Sequence, residues 1–218
     1  MSLSPEHSGS LNTQGIAGRS QSSLRSGTGS IQQPSQVQLP LVLLEREATW
    51  EWLVQQQELA SITLSAARIV GETGVGKTRL LHDYLRQAEA AGALVVITGA
   101  DPYHAEVPCY ALRDAIEQLA VVDVDALQRD QIQDMPVEVR IGLLELFDRD
   151  DPVSRVERSA KERRLTRQQA LLWALQNAYA QFKPEVIILA IDDLSRVDAP
   201  SREAIADLVS DSVELPVL

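Results

Sequence analysis

Residues 71–78 read Gly-Glu-Thr-Gly-Val-Gly-Lys-Thr, and this stretch decides the fold class. It matches G-x-x-x-x-G-K-[ST], in which glycines allow backbone angles and close approaches that a Cβ would prevent. The N–H groups of such a loop point inward at a helix N-terminus, where the helix dipole favours an anion. The lysine reaches the β- and γ-phosphates of a nucleotide, and the following hydroxyl ligates Mg²⁺. We therefore predict a nucleotide-binding loop formed by Gly71, Glu72, Thr73, Gly74, Val75, Gly76, Lys77, Thr78 and Arg79.

The segments on either side of this loop alternate between short apolar runs and helical patterns. A run at 67–70 predicts a strand before the loop, and apolar residues recur on one helical face over 77–91 after it. The continuous apolar runs at 93–98 and 186–191 are typical of parallel strands that are buried on both faces. This order predicts an α/β fold, a P-loop NTPase three-layer sandwich with a mainly parallel sheet. Further helices are predicted over 46–60, 137–147 and 165–182, after Pro200, and from Pro108 with Cys109 in its first turn.

A second functional stretch follows the run at 186–191, which ends on Asp192 and Asp193. Parallel strands end together at the carboxyl edge of a sheet, so a strand beside the phosphate-loop strand would place these carboxylates next to the phosphates. We expect Asp192 to hold Mg²⁺ with Thr78, and Asp193 and Lys77 to be the catalytic residues of nucleotide hydrolysis. The alternative is that the Asp pair only ends the strand and begins a turn.

The first 37 residues differ in composition from the rest of the chain. They contain ten Ser, five Gly, five Gln and two Pro but no aromatic residue, so they predict a disordered tail or linker. The folded domain is expected over 38–218. The whole chain has a net charge of −11 and the tail contributes +1, so the remaining residues carry a net charge of −12. Such an acidic balance argues against direct binding to nucleic acid or to an anionic membrane.

Two compositional features bear on localisation. Cys109 is the single cysteine, which excludes an internal disulfide and fits a reducing, cytoplasmic setting. No apolar run approaches the roughly 18 residues that a membrane-spanning helix needs, and the N-terminus lacks the features of a signal peptide. We expect a cytoplasmic protein.

Four stretches together resemble the predicted ATPases of the AAA+/STAND group, which are found beside bacterial LuxR-type regulators, adenylate cyclases and serine/threonine kinases. Residues 71–81 (GETGVGKTRLL) are similar to the phosphate loop of that group. Glu45-Arg46-Glu47 resembles its "GRE" opening, and residues 107–113 resemble its "P-[YF]-x-x-L-R" segment. Residues 191–201 resemble its acidic block "LDDLHWADPAS", with Ser195-Arg196 in place of His-Trp.

The resemblance implies an ATP-binding regulatory module with Mg²⁺-dependent ATP hydrolysis as its parent activity. It places Arg46 near the base or ribose of ATP, and effector or sensor domains of a larger regulator as partners. A guanine-reading Asn/Thr-Lys-x-Asp element does not occur in the sequence, which also favours adenine. The family module continues past a further strand into a polar sensor and a helical lid. The chain ends at Leu218 as that strand begins. We therefore expect an incomplete domain that binds ATP but does not hydrolyse it efficiently.

Two other functions stay open at this stage. A small-molecule or nucleoside phosphotransferase would share the loop but would need an arginine-rich lid that excludes water. Arg155, Arg158, Arg163 and Arg164 provide candidates for such a lid. The third hypothesis is a non-catalytic interaction fragment of a larger regulator. The sequence does not define the oligomeric state.

Overall fold

The computed structural model describes residues 46–104, 106–120, 134–147, 157–211 and 213–218. The chain divides into two units, residues 1–41 and residues 42–218, and all described residues belong to the second. The predicted tail, its boundary at residue 38 and the lid candidate Arg155 lie outside the described residues.

The described residues form a mixture of helices and two strands, compatible with the predicted α/β fold. Helix α1 spans Glu47–Leu59 and α2 spans Lys77–Ala90, directly after the phosphate loop. Strand β1 spans Leu94–Gly99, and β2 spans Ile187–Asp192. The remaining elements are a short 3-10 helix at Pro102–His104 and the helices α3 (Tyr110–Ala120), α4 (Val137–Leu146), α5 (Ala160–Phe182) and α6 (Ala199–Ser210).

The long helix α5 begins five residues before its predicted start at residue 165. Ser159 and Glu162 form a capping box, in which each side chain hydrogen-bonds to the backbone N–H of the other residue. The two bonds satisfy backbone donors that the first turn would leave unpaired, so the helix extends into the charged run at 161–164. That run is the largely exposed first turn of α5.

The two strands form a parallel pair, with Leu94 opposite Ile187 and Gly99 opposite Asp192. Val217 forms a parallel bridge with Ile187 on the other side of β2. Leu218 extends this pairing, because its N–H donates to Ile187 and its carbonyl accepts from Leu189, at 2.9 and 2.8 Å. The strand-like character predicted for residues 215–218 is therefore confirmed.

The segment before the phosphate loop departs from the prediction in two ways. Residues 67–70 do not form a strand. The backbone hydrogen bonds to the C-terminal segment come earlier, from Leu64 and Ser65, which donate to Val213 and Val217. These bonds also place the C-terminal segment between β2 and the phosphate-loop segment, so the two are not direct neighbours. The apolar alternation is nevertheless used, since Ala67 and Ile69 pack against a core cluster while Val70 is 75% exposed.

The alternating side chains of the strands enter two separate hydrophobic clusters. Val96 and Ile187 contribute to the larger cluster, together with buried residues of α3, α4, α5 and α6. Val186, Ile188 and Ala190 contribute to the second cluster with buried residues of α1 and α2. Successive strand residues point to opposite faces, so helices cover both faces of the β1–β2 pair. None of the helices that the structure describes is both long and apolar enough to cross a bilayer.

Helix α3 begins two residues later than the predicted start at Pro108. Cys109 has φ 58°, a left-handed conformation that cannot continue a helix, and it serves as the residue whose carbonyl accepts the first intrahelical bond, from Arg113. The thiol is buried among neighbouring elements, and burial raises the pKa of Cys109. The fully buried Ser201 in α6 binds the N-terminal turn of α3, because its hydroxyl accepts from Leu112 N at 3.4 Å.

Candidate nucleotide-binding site

The phosphate loop has the backbone conformation that its glycines predict. Gly74 and Gly76 have φ values of 86° and 84°, in the left-handed region that other residues rarely adopt. Gly76 is the N-cap residue of α2, and its carbonyl accepts from Leu80 N at 3.0 Å. The loop therefore passes directly into a helix N-terminus, the arrangement that presents backbone N–H groups to an anion.

Lys77 lies over this loop. Its ammonium donates to the carbonyls of Gly71 and Glu72 at 3.0 and 2.8 Å. An ammonium has three N–H donors, so one remains available for a phosphate oxygen while the other two hold the side chain in place. The structure thus keeps the positive charge at the loop, as the motif predicts.

Thr78 and Asp192 are 114 residues apart in sequence and meet in the fold. The Thr78 hydroxyl donates to Asp192 Oδ1 at 3.2 Å, which joins the first turn of α2 to the carboxyl end of β2. Both are hard oxygen ligands, the type that Mg²⁺ prefers, and Mg²⁺ usually takes few protein ligands together with phosphate and water. The two residues predicted from separate motifs to bind the metal are therefore placed together.

Asp193 follows the last residue of β2 and turns the chain. Its φ is 48°, its N–H donates to Asp192 Oδ1 at 2.9 Å, and its carbonyl accepts from Arg196 N at 2.8 Å. Asp193 is exposed, whereas Asp192 is half-buried. Because β2 ends at Asp192, before Asp193, the two carboxylates can take different roles.

Gly99 is a site residue that the sequence analysis missed. A Cβ on Gly99 would lie 2.7 Å from the Asp192 carbonyl oxygen, so only glycine lets β1 approach the end of β2 at this point. In the sequence this position is a glycine at the end of an apolar run, a pattern that is equally typical of a strand that simply ends there.

The family assignment follows from a comparison with protein-family profiles. The profile described as "AAA ATPase domain" matches residues 42–218. The chain belongs to the AAA ATPase domain family. This confirms the resemblance drawn from the four sequence stretches. No curated protein and no solved structure matches the chain.

In this AAA ATPase domain, Arg46 contacts the phosphate loop. Its guanidinium donates from Nη2 to the carbonyl of Val75. A Cβ on Gly76 would lie 3.8 Å from the same nitrogen, so the guanidinium also lies beside the last glycine of the loop. A cavity of about 350 Å³ adjoins this contact and is lined by Arg46, Glu47, Trp50 and Glu51.

Two other arginines of interest make contacts within the domain. The Nε atom of Arg79 lies 3.8 Å from Oδ2 of Asp83, one turn further along α2. The guanidinium of Arg113 lies over the Phe147 ring at 5.3 Å from the ring centroid. The amphipathic side chain of Arg113 thus covers the large core cluster at that point.

The loop after β1 is held by Asp101. This carboxylate accepts from Tyr103 N at 2.8 Å and lies 2.8 Å from His104 Nδ1, and the hydrogen bond with His104 is the main reason why the pKa of Asp101 is lowered. His104 also stacks on Tyr110 with 4.6 Å between ring centroids. His104 is thus held within this loop by Asp101 and Tyr110. Among the residues that the structure describes, no three His, Cys, Asp or Glu side chains are grouped to hold a metal.

The tryptophans differ in their surroundings. Trp50 is half-buried and meets the edge of Tyr84, with 5.8 Å between ring centroids and an interplanar angle of 78°. Trp173 is half-buried and packs against the large cluster. Trp52 is 38% exposed and is not a core residue.

Proposed function

We propose that this AAA ATPase domain is the Mg²⁺-dependent ATP-binding regulatory module of a signal-transduction ATPase of the STAND group. The observation that carries the proposal is the contact between Thr78 and Asp192, because it joins two independently recognised motifs at one point. Around it lie the anion-binding loop, with Gly74 and Gly76 in left-handed conformations, and the ammonium of Lys77.

The bound Mg²⁺ would be held by the Thr78 hydroxyl, with the Asp192 carboxylate acting through water. When bound, the ion neutralises charge on the β- and γ-phosphates. Lys77 provides a second positive charge, and the loop amides of Gly71, Glu72, Thr73, Gly74, Val75 and Gly76 provide donors along the phosphate chain. Arg79 follows at the first turn of α2.

Hydrolysis is the parent activity that we propose for this site, with Asp193 as the group that accepts a proton from water and Lys77 as the charge on the transferred phosphoryl group. The exposed position of Asp193, immediately after the half-buried Asp192, supports this separation of roles. The corresponding assay measures phosphate release from ATP in the absence of a phosphoryl acceptor. We expect Asp193→Asn to lose this release.

The nucleoside half of ATP would occupy the cavity beside Arg46. Its volume of about 350 Å³ suits a small ligand, and Trp50 offers an aromatic wall. The γ-phosphate would act as a switch ligand that orders loops and contacts with effector or sensor domains of a larger regulator. We further propose a three-layer arrangement around a mainly parallel sheet, and a cytoplasmic location.

The phosphotransferase alternative needs arginines that are free to close over a phosphoryl group. Arg158 donates to Glu145 at 2.6 Å, and Arg164 binds Asp207 through two nitrogens. These contacts tie both arginines to neighbouring helices, and the hydrogen bond from Arg164 lowers the pKa of Asp207. The contacts favour the ATPase interpretation. The interaction-fragment alternative predicts no saturable binding of ATP, and a titration of the wild-type protein with labelled ATP measures this.

Replacing Asp192 with Asn is expected to weaken the Mg²⁺ dependence of ATP binding. Outer partners of a metal site typically contribute about 10–100-fold to metal affinity, so we expect a loss of that size in the apparent Mg²⁺ affinity of the ATP complex. Binding of ATP in EDTA should change little. The measurement is a fluorescent-ATP titration over a range of Mg²⁺ concentrations, with Glu89→Gln on the exposed surface of α2 as the matched control. An unchanged Mg²⁺ dependence in Asp192→Asn would remove the metal role.

A further inference from the structure

The helix α1 is firmly attached to the rest of the domain away from the phosphate loop. Leu53 is buried in the second cluster, and Tyr84 of α2 donates to Gln57 Oε1 at 2.8 Å. Trp50 meets the edge of the same Tyr84 ring. Burial raises the pKa of Tyr84 to about 12. The beginning of α1 is thus fixed relative to α2.

Arg46 stands at that beginning, and it does not cap its own helix. Its side chain makes no capping hydrogen bond at α1. It reaches 29 residues along the chain to the Val75 carbonyl instead, next to Gly76. Val75 lies between two glycines in left-handed conformations, the part of the loop with the greatest backbone freedom. A charged donor on this carbonyl therefore restricts the part of the loop that is otherwise the least constrained.

We propose that Arg46 is a positioning residue that holds the Gly74–Gly76 turn in its anion-accepting conformation. This inference rests on the proposed function, and it differs from the role near the base or ribose that the sequence resemblance implies. Because α1 is fixed by Tyr84, the guanidinium transmits the position of α1 to the loop.

The two roles of Arg46 predict different results with a ligand that has no nucleoside. Inorganic tripolyphosphate reports on the phosphate loop alone. A positioning role predicts that Arg46→Ala weakens the binding of tripolyphosphate about 10-fold, the usual effect of one hydrogen bond to a charged group, and weakens the binding of ATP by at least that factor. Arg46→Lys should recover part of the loss for both ligands, since an ammonium can also donate to the carbonyl. A loss for ATP with unchanged tripolyphosphate affinity would overturn the proposal.

Hydrogen exchange on the ligand-free protein provides a readout that is independent of ATP. We expect faster exchange in peptides that cover residues 71–78 of Arg46→Ala than of wild type, with unchanged exchange in α5. Arg86→Ala, which removes an exposed arginine from α2, is the matched control and should leave the loop unaffected. Equal exchange in wild type and Arg46→Ala would overturn the proposal. If wild type bound neither ATP nor tripolyphosphate, the proposed function would fail, and the exchange result would still decide the role of Arg46.

Discussion

Lys77→Ala is expected to reduce the affinity for Mg²⁺-ATP about 100-fold. The ammonium is held over the loop by the carbonyls of Gly71 and Glu72, where it faces the phosphate site. Its removal deletes charge-assisted hydrogen bonds worth about 3 kcal/mol, and each 1.4 kcal/mol corresponds to a tenfold change in the dissociation constant. Isothermal titration of both proteins with Mg²⁺-ATP measures the difference.

This variant should remain folded, because Lys77 is the first residue of α2 and alanine is favourable in helices. Its unfolding midpoint in urea is therefore expected to lie close to that of wild type. Lys161→Ala, in the exposed first turn of α5, removes the same charge away from the site and should bind ATP like wild type. Equal ATP affinity in wild type and a folded Lys77→Ala would show that the loop does not bind the phosphates.

Gly142→Ala is expected to destabilise the domain by about 2 kcal/mol, the largest effect on stability that we predict. A Cβ at this position in α4 would lie 2.1 Å from the carbonyl oxygen of Thr166 and 3.0 Å from the Cβ of Ala170, both in α5. The two helices would have to separate, which weakens packing around buried Leu143 and Leu171 in the large cluster.

The sign of this effect is informative. In a helix without such a contact, replacing glycine by alanine would stabilise the protein by about 1 kcal/mol. Urea unfolding followed by circular dichroism measures the change, with Glu138→Ala on the exposed side of α4 as control. Gly142→Ala with stability equal to or above that of wild type would contradict the close packing of α4 on α5.

The sequence was sufficient for the features that depend on local chemistry. The Gly71–Thr78 motif requires specific residue types at fixed spacing, so the loop, the start of α2 and the position of Lys77 followed directly. The apolar runs that became β1 and β2 were equally clear, since strands buried on both faces are continuously apolar. The acidic end of β2 was recognisable because it follows such a run.

Features that depend on long-range approach were not visible in the sequence. Gly99 and Gly142 are needed because Asp192 and Thr166 come too close for a Cβ, and nothing near either glycine in sequence reveals those partners. The segment at 67–70 has the composition of a strand, yet a strand also requires a hydrogen-bonded neighbour along its length. The contact of Arg46 with Val75 joins residues 29 positions apart through the packing of α1.

The central claim is that the Gly71–Thr78 loop, together with Asp192, binds Mg²⁺-ATP. A titration of ¹⁵N-labelled protein with Mg²⁺-ATP, followed by backbone amide chemical shifts, tests it most directly. We predict saturable one-to-one changes that are largest for the amides of Gly74, Gly76, Lys77 and Thr78, with smaller changes at Asp193 and none in the middle of α5. Shifts confined to another part of the domain, or no shifts at millimolar Mg²⁺-ATP, would contradict the account.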